Sequence, residues 1–270
     1  MRILTLLVLF ITSFSFAQTE LIDNTSVQID TVRYKGIRNR IKDQTYFINM
    51  NPSAEKYFKR AQLKTQIDDY QGAIEDYDLA AKMAPNEISI YYNRAAAKER
   101  INDLEGAYND FTKTIESMPN NEWGWHDRAL IEIKQKKYNE AEKDLEKALS
   151  LKPNWEIAVF SKGLLYQEQQ DFDKAIIFYT QSLALNPNNY LALNNLGFIY
   201  FSQKKYDLAI SKYSEAIVLN LNYFNAYRNR ADAKIAKKDF QGACQDLNIA
   251  SGLGDKKAEK ILNDVCKKNN

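Results

Sequence analysis

The sequence predicts an all-α solenoid of about six helix–turn–helix units laid side by side, closed by a C-terminal capping helix. Three observations carry that prediction. One phrase recurs every 34 residues, with an aromatic or leucine at Tyr70, Leu104, Tyr138, Phe172, Tyr206 and Phe240. An alanine follows three residues later each time, at Ala73, Ala107, Ala141, Ala175, Ala209 and Ala243. Prolines keep the same register at Pro85, Pro119, Pro153 and Pro187, and Leu221 takes the next slot. Finally, 9 Gly and 5 Pro in 270 residues are too few for a loop-rich or all-β chain. A fixed period of this length marks stacked units, none of which can bury its apolar face alone.

Each unit reads as two helices. In the first, Tyr57, Phe58, Ala61 and Ile67 recur at helical intervals over 54–67, with no Gly or Pro to interrupt them. Asp68-Asp69 supplies turn and N-cap chemistry. From Tyr70 to about Met83 the residues Ala73, Ile74, Tyr77, Ala80 and Ala81 form a second apolar stripe. Ala84-Pro85-Asn86 then stops the chain, because proline cannot continue a helix and biases its predecessor away from helical angles. Units begin near 54, 88, 122, 156, 190 and 224, so the array spans 54–257.

This pattern resembles the tetratricopeptide repeat. Its marks are clear in the unit from Tyr190, as Leu193, Leu196, Gly197, Tyr200, Ala209, Tyr213 and Ala216, and in the unit from Glu156, as Gly163, Tyr166, Ala175, Tyr179 and Pro187. Thr114 and Ser182 stand where the pattern has Ala, and Leu221 and Asp255 where it has Pro. The resemblance implies a right-handed superhelix whose first helices line a concave groove that holds an extended peptide or a partner helix. Carried over slot by slot, the groove candidates are Asn93, Trp123, Asp127, Leu130, Ile157, Ser161, Leu164, Leu191, Asn195, Phe198, Asn229 and Asp232. The members that grip a chaperone's C-terminal carboxylate use paired Lys and Asn. Here Phe58, Gln62, Asn93, Trp123 and Asp127 fill those slots, so only Asn93 fits.

Charge repeats with the hairpins. Arg60, Arg94, Arg128 and Arg230 share one first-helix slot, and Asp76, Asp110, Asp144 and Asp246 follow each by sixteen residues. The two units that carry Lys162 and Leu196 instead have Phe178 and Lys212 at the second position. The pairs come and go together, which predicts an Arg–carboxylate bridge across each of four hairpins. A row of ligand-binding or catalytic arginines is the rival reading. Exposed helix-to-helix pairs of modest energy are the favoured one.

The ends differ from the array. Residues 1–17 read as a signal peptide, with Arg2, an apolar Ile3–Phe16 and the small-residue site Ser15-Phe16-Ala17 predicting cleavage before Gln18. About 14 apolar residues are short of a ~20-residue membrane span, and no cysteine lies near for lipid attachment. Export to the periplasm or beyond is expected, without membrane insertion after cleavage. Residues 18–53 match no repeat and read as an extended or irregular leader, from the weak alternation of Val27, Ile29, Val32 and Tyr34 and a basic run from Arg33 to Lys42. Such a leader would pack on the first repeat or fold back into the groove. At the other end, 255–270 reads as a capping helix and tail, with Asp255 as N-cap and Ala258, Ile261, Leu262 and Val265 as its apolar stripe. Cys244 and Cys266 permit one intrachain pairing, and export favours a disulfide over two buried thiols.

No cofactor, metal or catalytic constellation is expected. The only histidine, His126, has no identifiable Ser or Cys partner in the sequence and reads as a groove or surface residue. Metal-ligand spacing and phosphate loops are lacking from the sequence. A net charge of +2 argues against nucleic acid, which needs clustered basic charge. The function expected is a non-catalytic scaffold binding a protein or peptide in its groove. The alternatives are a structural adaptor that binds through its convex face or edges and, in third place, an enzyme or glycan binder using Trp123 and Trp125.

Overall fold

The structure is a computed structural model describing residues 24–266, with side chains from Tyr34 onward. The proposed signal segment, its cleavage point and the tail after Cys266 lie outside the described residues. Fourteen helices and no strand occur among the described residues. They are α1 (Asn24–Met50), α2 (Ala54–Thr65), α3 (Tyr70–Met83), α4 (Ile88–Arg100), α5 (Leu104–Ser117), α6 (Glu122–Lys134) and α7 (Tyr138–Leu151). Next come α8 (Glu156–Glu168), α9 (Phe172–Leu185), α10 (Tyr190–Ser202), α11 (Tyr206–Leu219), α12 (Phe224–Ala236), α13 (Phe240–Gly252) and α14 (Lys256–Cys266). Helices pack in chain order, most extensively within the six hairpins α2–α3 to α12–α13 and then between consecutive hairpins. Among the described residues no helix is long and apolar enough to cross a membrane.

The turns inside the hairpins share one design. Asp68, Asn102, Lys136, Gln170, Lys204 and Lys238 all adopt a left-handed backbone, with φ between 59° and 67°. That conformation lets the next backbone N–H reach back to the preceding helix, as Asp69 N does to the Lys64 carbonyl at 3.0 Å. Asp69, Asp103, Asp171 and Asp239 then cap the second helices, each accepting from the N–H three residues on.

Within each hairpin one large side chain of the second helix fills the gap opposite a small residue of the first. Tyr77, Phe111, Leu145 and Leu247 share their clusters with Ala61, Ala95, Ala129 and Ala231. Tyr179 and Tyr213 face glycines instead. A Cβ on Gly163 or Gly197 would lie 2.5 or 2.6 Å from those rings, so glycine is what admits the two tyrosines. Each such buried side chain contributes about 2–3 kcal/mol of apolar burial, and truncating one leaves a cavity between the two helices of its hairpin.

The leader corrects the sequence reading. Residues Asn24–Met50 are helical, not extended or irregular. The weak alternation in its first part was outweighed by Tyr34, Ile37, Ile41 and Ile48, whose helical spacing makes a single apolar stripe. Ile37 and Ile48 are buried and α1 packs on α2, while Lys35, Arg38, Arg40 and Lys42 face solvent. The helix packs on the first repeat and stands in for the second helix of a preceding hairpin. Its Thr45 Oγ1 accepts from Arg60 Nη1 at 3.0 Å, as Thr112 and Ser214 of α5 and α11 accept from Arg128 and Arg230.

The opposite end is closed by α14. Asp255 caps it, accepting from Lys257 N at 2.9 Å, and Ala258, Ile261 and Leu262 pack on the last hairpin. Cys244 of α13 and Cys266 of α14 are joined in a disulfide, with Cα atoms 5.9 Å apart. The bond ties the cap to the hairpin it covers.

Candidate functional site

First helices of successive hairpins approach each other, as in α2–α4, α6–α8 and α10–α12, whereas successive second helices make no comparable contact. The row of first helices is therefore the inner side of the curve. Side-chain hydrogen bonds stitch this row together. Tyr92 OH donates to Asp127 Oδ2 at 2.5 Å, Asp127 Oδ1 accepts from His126 Nδ1 at 2.8 Å, and His126 Nε2 lies 3.0 Å from Ser161 Oγ. Two repeats on, Asn229 Nδ2 donates to Asn194 Oδ1 at 2.9 Å.

His126 is thus not a surface residue. It is 4% exposed, and it has the serine partner that the sequence did not reveal. A carboxylate can only accept, so Nδ1 carries the proton and a neutral ring accepts from the Ser161 hydroxyl at Nε2. The order Asp–His–Ser matches a hydrolase triad, but Ser161 is buried in mid-helix, where backbone N–H groups are consumed by the helix and none is free to hold an oxyanion. The chain ties α4, α6 and α8 together. Sequence reasoning missed it because its 35-residue steps relate helices of different repeats.

The four Arg–Asp pairs form as bidentate bridges. Arg60 Nε and Nη2 reach Asp76 at 2.8 and 2.5 Å, and the same two contacts recur for Arg94–Asp110, Arg128–Asp144 and Arg230–Asp246. They are not the exposed pairs expected, since all four aspartates are buried. Each guanidinium also lies over an aromatic ring one turn earlier in its helix, at 5.1–5.7 Å from Tyr57, Tyr91, Trp125 and Tyr227. A second cation joins three of the pairs, as Lys64, Lys98 and Lys234 meet Asp76, Asp110 and Asp246 at 2.7–2.8 Å. In the third hairpin that slot holds Glu132, 2% exposed, with Oε2 lacking a partner. Burial and the adjacent Asp144 carboxylate raise its pKa to about 8, against the opposing pull of Arg128.

The predicted groove residues fall into three rows. Trp123 and Ile157, 40% and 39% exposed, and half-buried Leu191 begin α6, α8 and α10. One turn on, Asp127, Ser161 and Asn195 are committed to internal partners, Asn195 donating to Tyr179 OH at 3.2 Å. Asn93 donates to Ser89 O of its own helix at 2.8 Å, and Asn229 is buried. The third row is Leu130, Leu164 and Phe198, half-buried, with Asp232 in the next position along it. Trp123 rests edge-on against Trp155 at 4.6 Å, with Lys152 near both rings.

Asp232 is the one acid in the third row, at the slot that holds Leu130, Leu164 and Phe198 in the three preceding hairpins. The nearby guanidinium of Arg228 is taken, its Nη1 reaching Asp255 at 2.5 Å and its Nη2 reaching Asn225 at 2.6 Å. Among the described residues no group donates a hydrogen bond to the Asp232 carboxylate. Burial pushes its pKa up to about 6, with Arg228 opposing and Asp255 reinforcing the rise.

Comparison with known proteins agrees with this architecture. Models described as tetratricopeptide repeat match residues 54–87, 123–155, 158–189 and 178–211, and one described as TPR repeat matches 197–237. No curated protein matches the chain by sequence. Among solved structures, a tetratricopeptide repeat protein from Parabacteroides merdae ATCC 43184 is 18% identical, with a TM-score of 0.75 over 88% of this chain and 95% of its own. The Cut9–Hcn1 hetero-tetramer of the APC/C is 16% identical, with a TM-score of 0.67 over 85% of this chain and 46% of that one. A thermophilic TPR protein of Thermus thermophilus is 18% identical, with a TM-score of 0.58 over 68% of this chain and all of that one. At these identities the likeness is one of fold. With family models covering more than half its length and every hairpin built to one plan, the chain belongs to the tetratricopeptide repeat family.

Proposed function

We propose that this protein is an exported, non-catalytic scaffold that holds a protein or peptide partner along the inner face of its solenoid, in the periplasm or outside the cell. The fold is that of interaction scaffolds. The observation that carries the reading is the pair of apolar rows, Trp123–Ile157–Leu191 and Leu130–Leu164–Phe198, on either side of polar groups already engaged internally. A preformed surface of this kind loses little entropy on binding, and its apolar side chains supply pockets for anchors. Photo-crosslinking from residue 164 or 195 in the native compartment tests it. A partner labelled from both positions but not from residue 177, exposed on the second-helix side, is the expected result; labelling confined to residue 177 refutes it.

A second reading has its own observation. At the C-terminal end of α11, Val218 and Leu219 are 77% and 39% exposed, and Leu221 in the turn that follows is 67% exposed. Leu221 stands in the slot that proline fills in four other repeats. This apolar edge suits a structural adaptor, and crosslinking from residue 221 into a stable complex would favour it.

A further inference from the structure

This inference rests on the inner-face reading and names the chemistry of the occupant. The third row is apolar through three repeats and then changes, since the slot of Leu130, Leu164 and Phe198 carries Asp232 in the sixth hairpin. Buried aspartates elsewhere have cations of their own. Asp76, Asp110 and Asp246 each hold an Arg and a Lys, and Asp255 holds Arg228. Asp232 is half-buried, its neighbouring guanidinium is engaged with Asp255 and Asn225, and no described residue donates to it. A half-buried carboxylate of this kind keeps only part of its hydration, and a cation arriving with a ligand would gain a charge-assisted contact there. Burial acts the same way, favouring the uncharged acid until such a cation is supplied.

We propose that the groove takes a basic–apolar peptide: an extended segment whose apolar side chains sit on repeats three to five, followed by a Lys or Arg side chain that seats on Asp232. The spacing follows from geometry. Neighbouring helices lie about 10 Å apart and an extended chain advances about 3.3 Å per residue, so an apolar residue at every third position matches successive repeats.

The test is a peptide array probed with the full chain. Its peptides carry Leu at every third position over three steps, ending in Lys, Glu or norleucine, in both chain directions. Lys peptides should be retained about tenfold better than norleucine peptides, the scale of one charge-assisted contact. Asp232→Asn should erase that preference, Asp232→Lys should turn it toward Glu, and Leu164→Asp should abolish retention of all three. Unchanged helical circular dichroism and melting temperature establish that the Asp232 variants fold. Retention blind to charge, or a Lys preference that survives Asp232→Lys, overturns the basic-anchor inference while leaving the groove in place. Retention indifferent to Leu164→Asp, or none at all, overturns the groove reading as well.

Discussion

Replacing Glu132 with lysine should stabilise the array, and by an amount that grows with pH. Three hairpins place Lys64, Lys98 or Lys234 against the Arg–Asp bridge, whereas the third sets a buried carboxyl there, next to Asp144. Unfolding exposes Glu132 and returns its pKa from about 8 to the ordinary 4.5. The folded state therefore holds the proton more tightly than the unfolded state. Its contribution is intact below pH 4.5, weakens as pH rises, and levels off above about 8. At about 1.4 kcal/mol per pH unit, the loss, shared with the neighbouring Asp144, comes to a few kcal/mol between about pH 5 and 8. Glu132→Lys removes this loss and adds a cation to Asp144. Glu132→Gln removes the titration alone. Urea unfolding followed by circular dichroism at about pH 5, 7 and 9 should show both variants gaining on the parent with rising pH, the lysine variant most. A difference from the parent that stays flat across that range, or a lysine variant less stable than the parent at about pH 9, would refute the reasoning.

The other predictions concern single contacts. Arg94→Leu leaves buried Asp110 with Lys98 alone and should cost about 3 kcal/mol, measured as a fall in the urea midpoint at unchanged slope. Lys204→Gly relieves a left-handed φ of 60° that a lysine side chain disfavours, and should raise stability by about 0.5–1 kcal/mol; a lower melting temperature would contradict this. Cys266→Ser opens a crosslink across a separation of 22 residues and should cost about 3 kcal/mol on the chain-entropy model. Added reductant should lower the parent's melting temperature to match and leave the variant's unchanged.

Much of this architecture was legible from the amino acids alone, because a helical hairpin is a local object. Apolar spacing, caps and stops within 34 residues dictate two helices and their packing, and repetition then dictates a stack. The Arg–Asp slots, sixteen residues apart, and the single possible cysteine pairing were readable for the same reason. Tertiary structure decided everything that passes between units or depends on burial. Tyr34, Ile37, Ile41 and Ile48 become a helical stripe only because α2 offers a surface to cover, so the leader is a helix where the sequence suggested none. Whether an aspartate is a tied-down link, like Asp127, or a carboxylate awaiting a cation, like Asp232, depends on which donors neighbouring helices bring within 3 Å. The protonation of Glu132 likewise follows from water being shut out by two packed hairpins. Local pattern specifies the repeating unit; the energy of a polar group is set by surroundings that only the assembled stack creates.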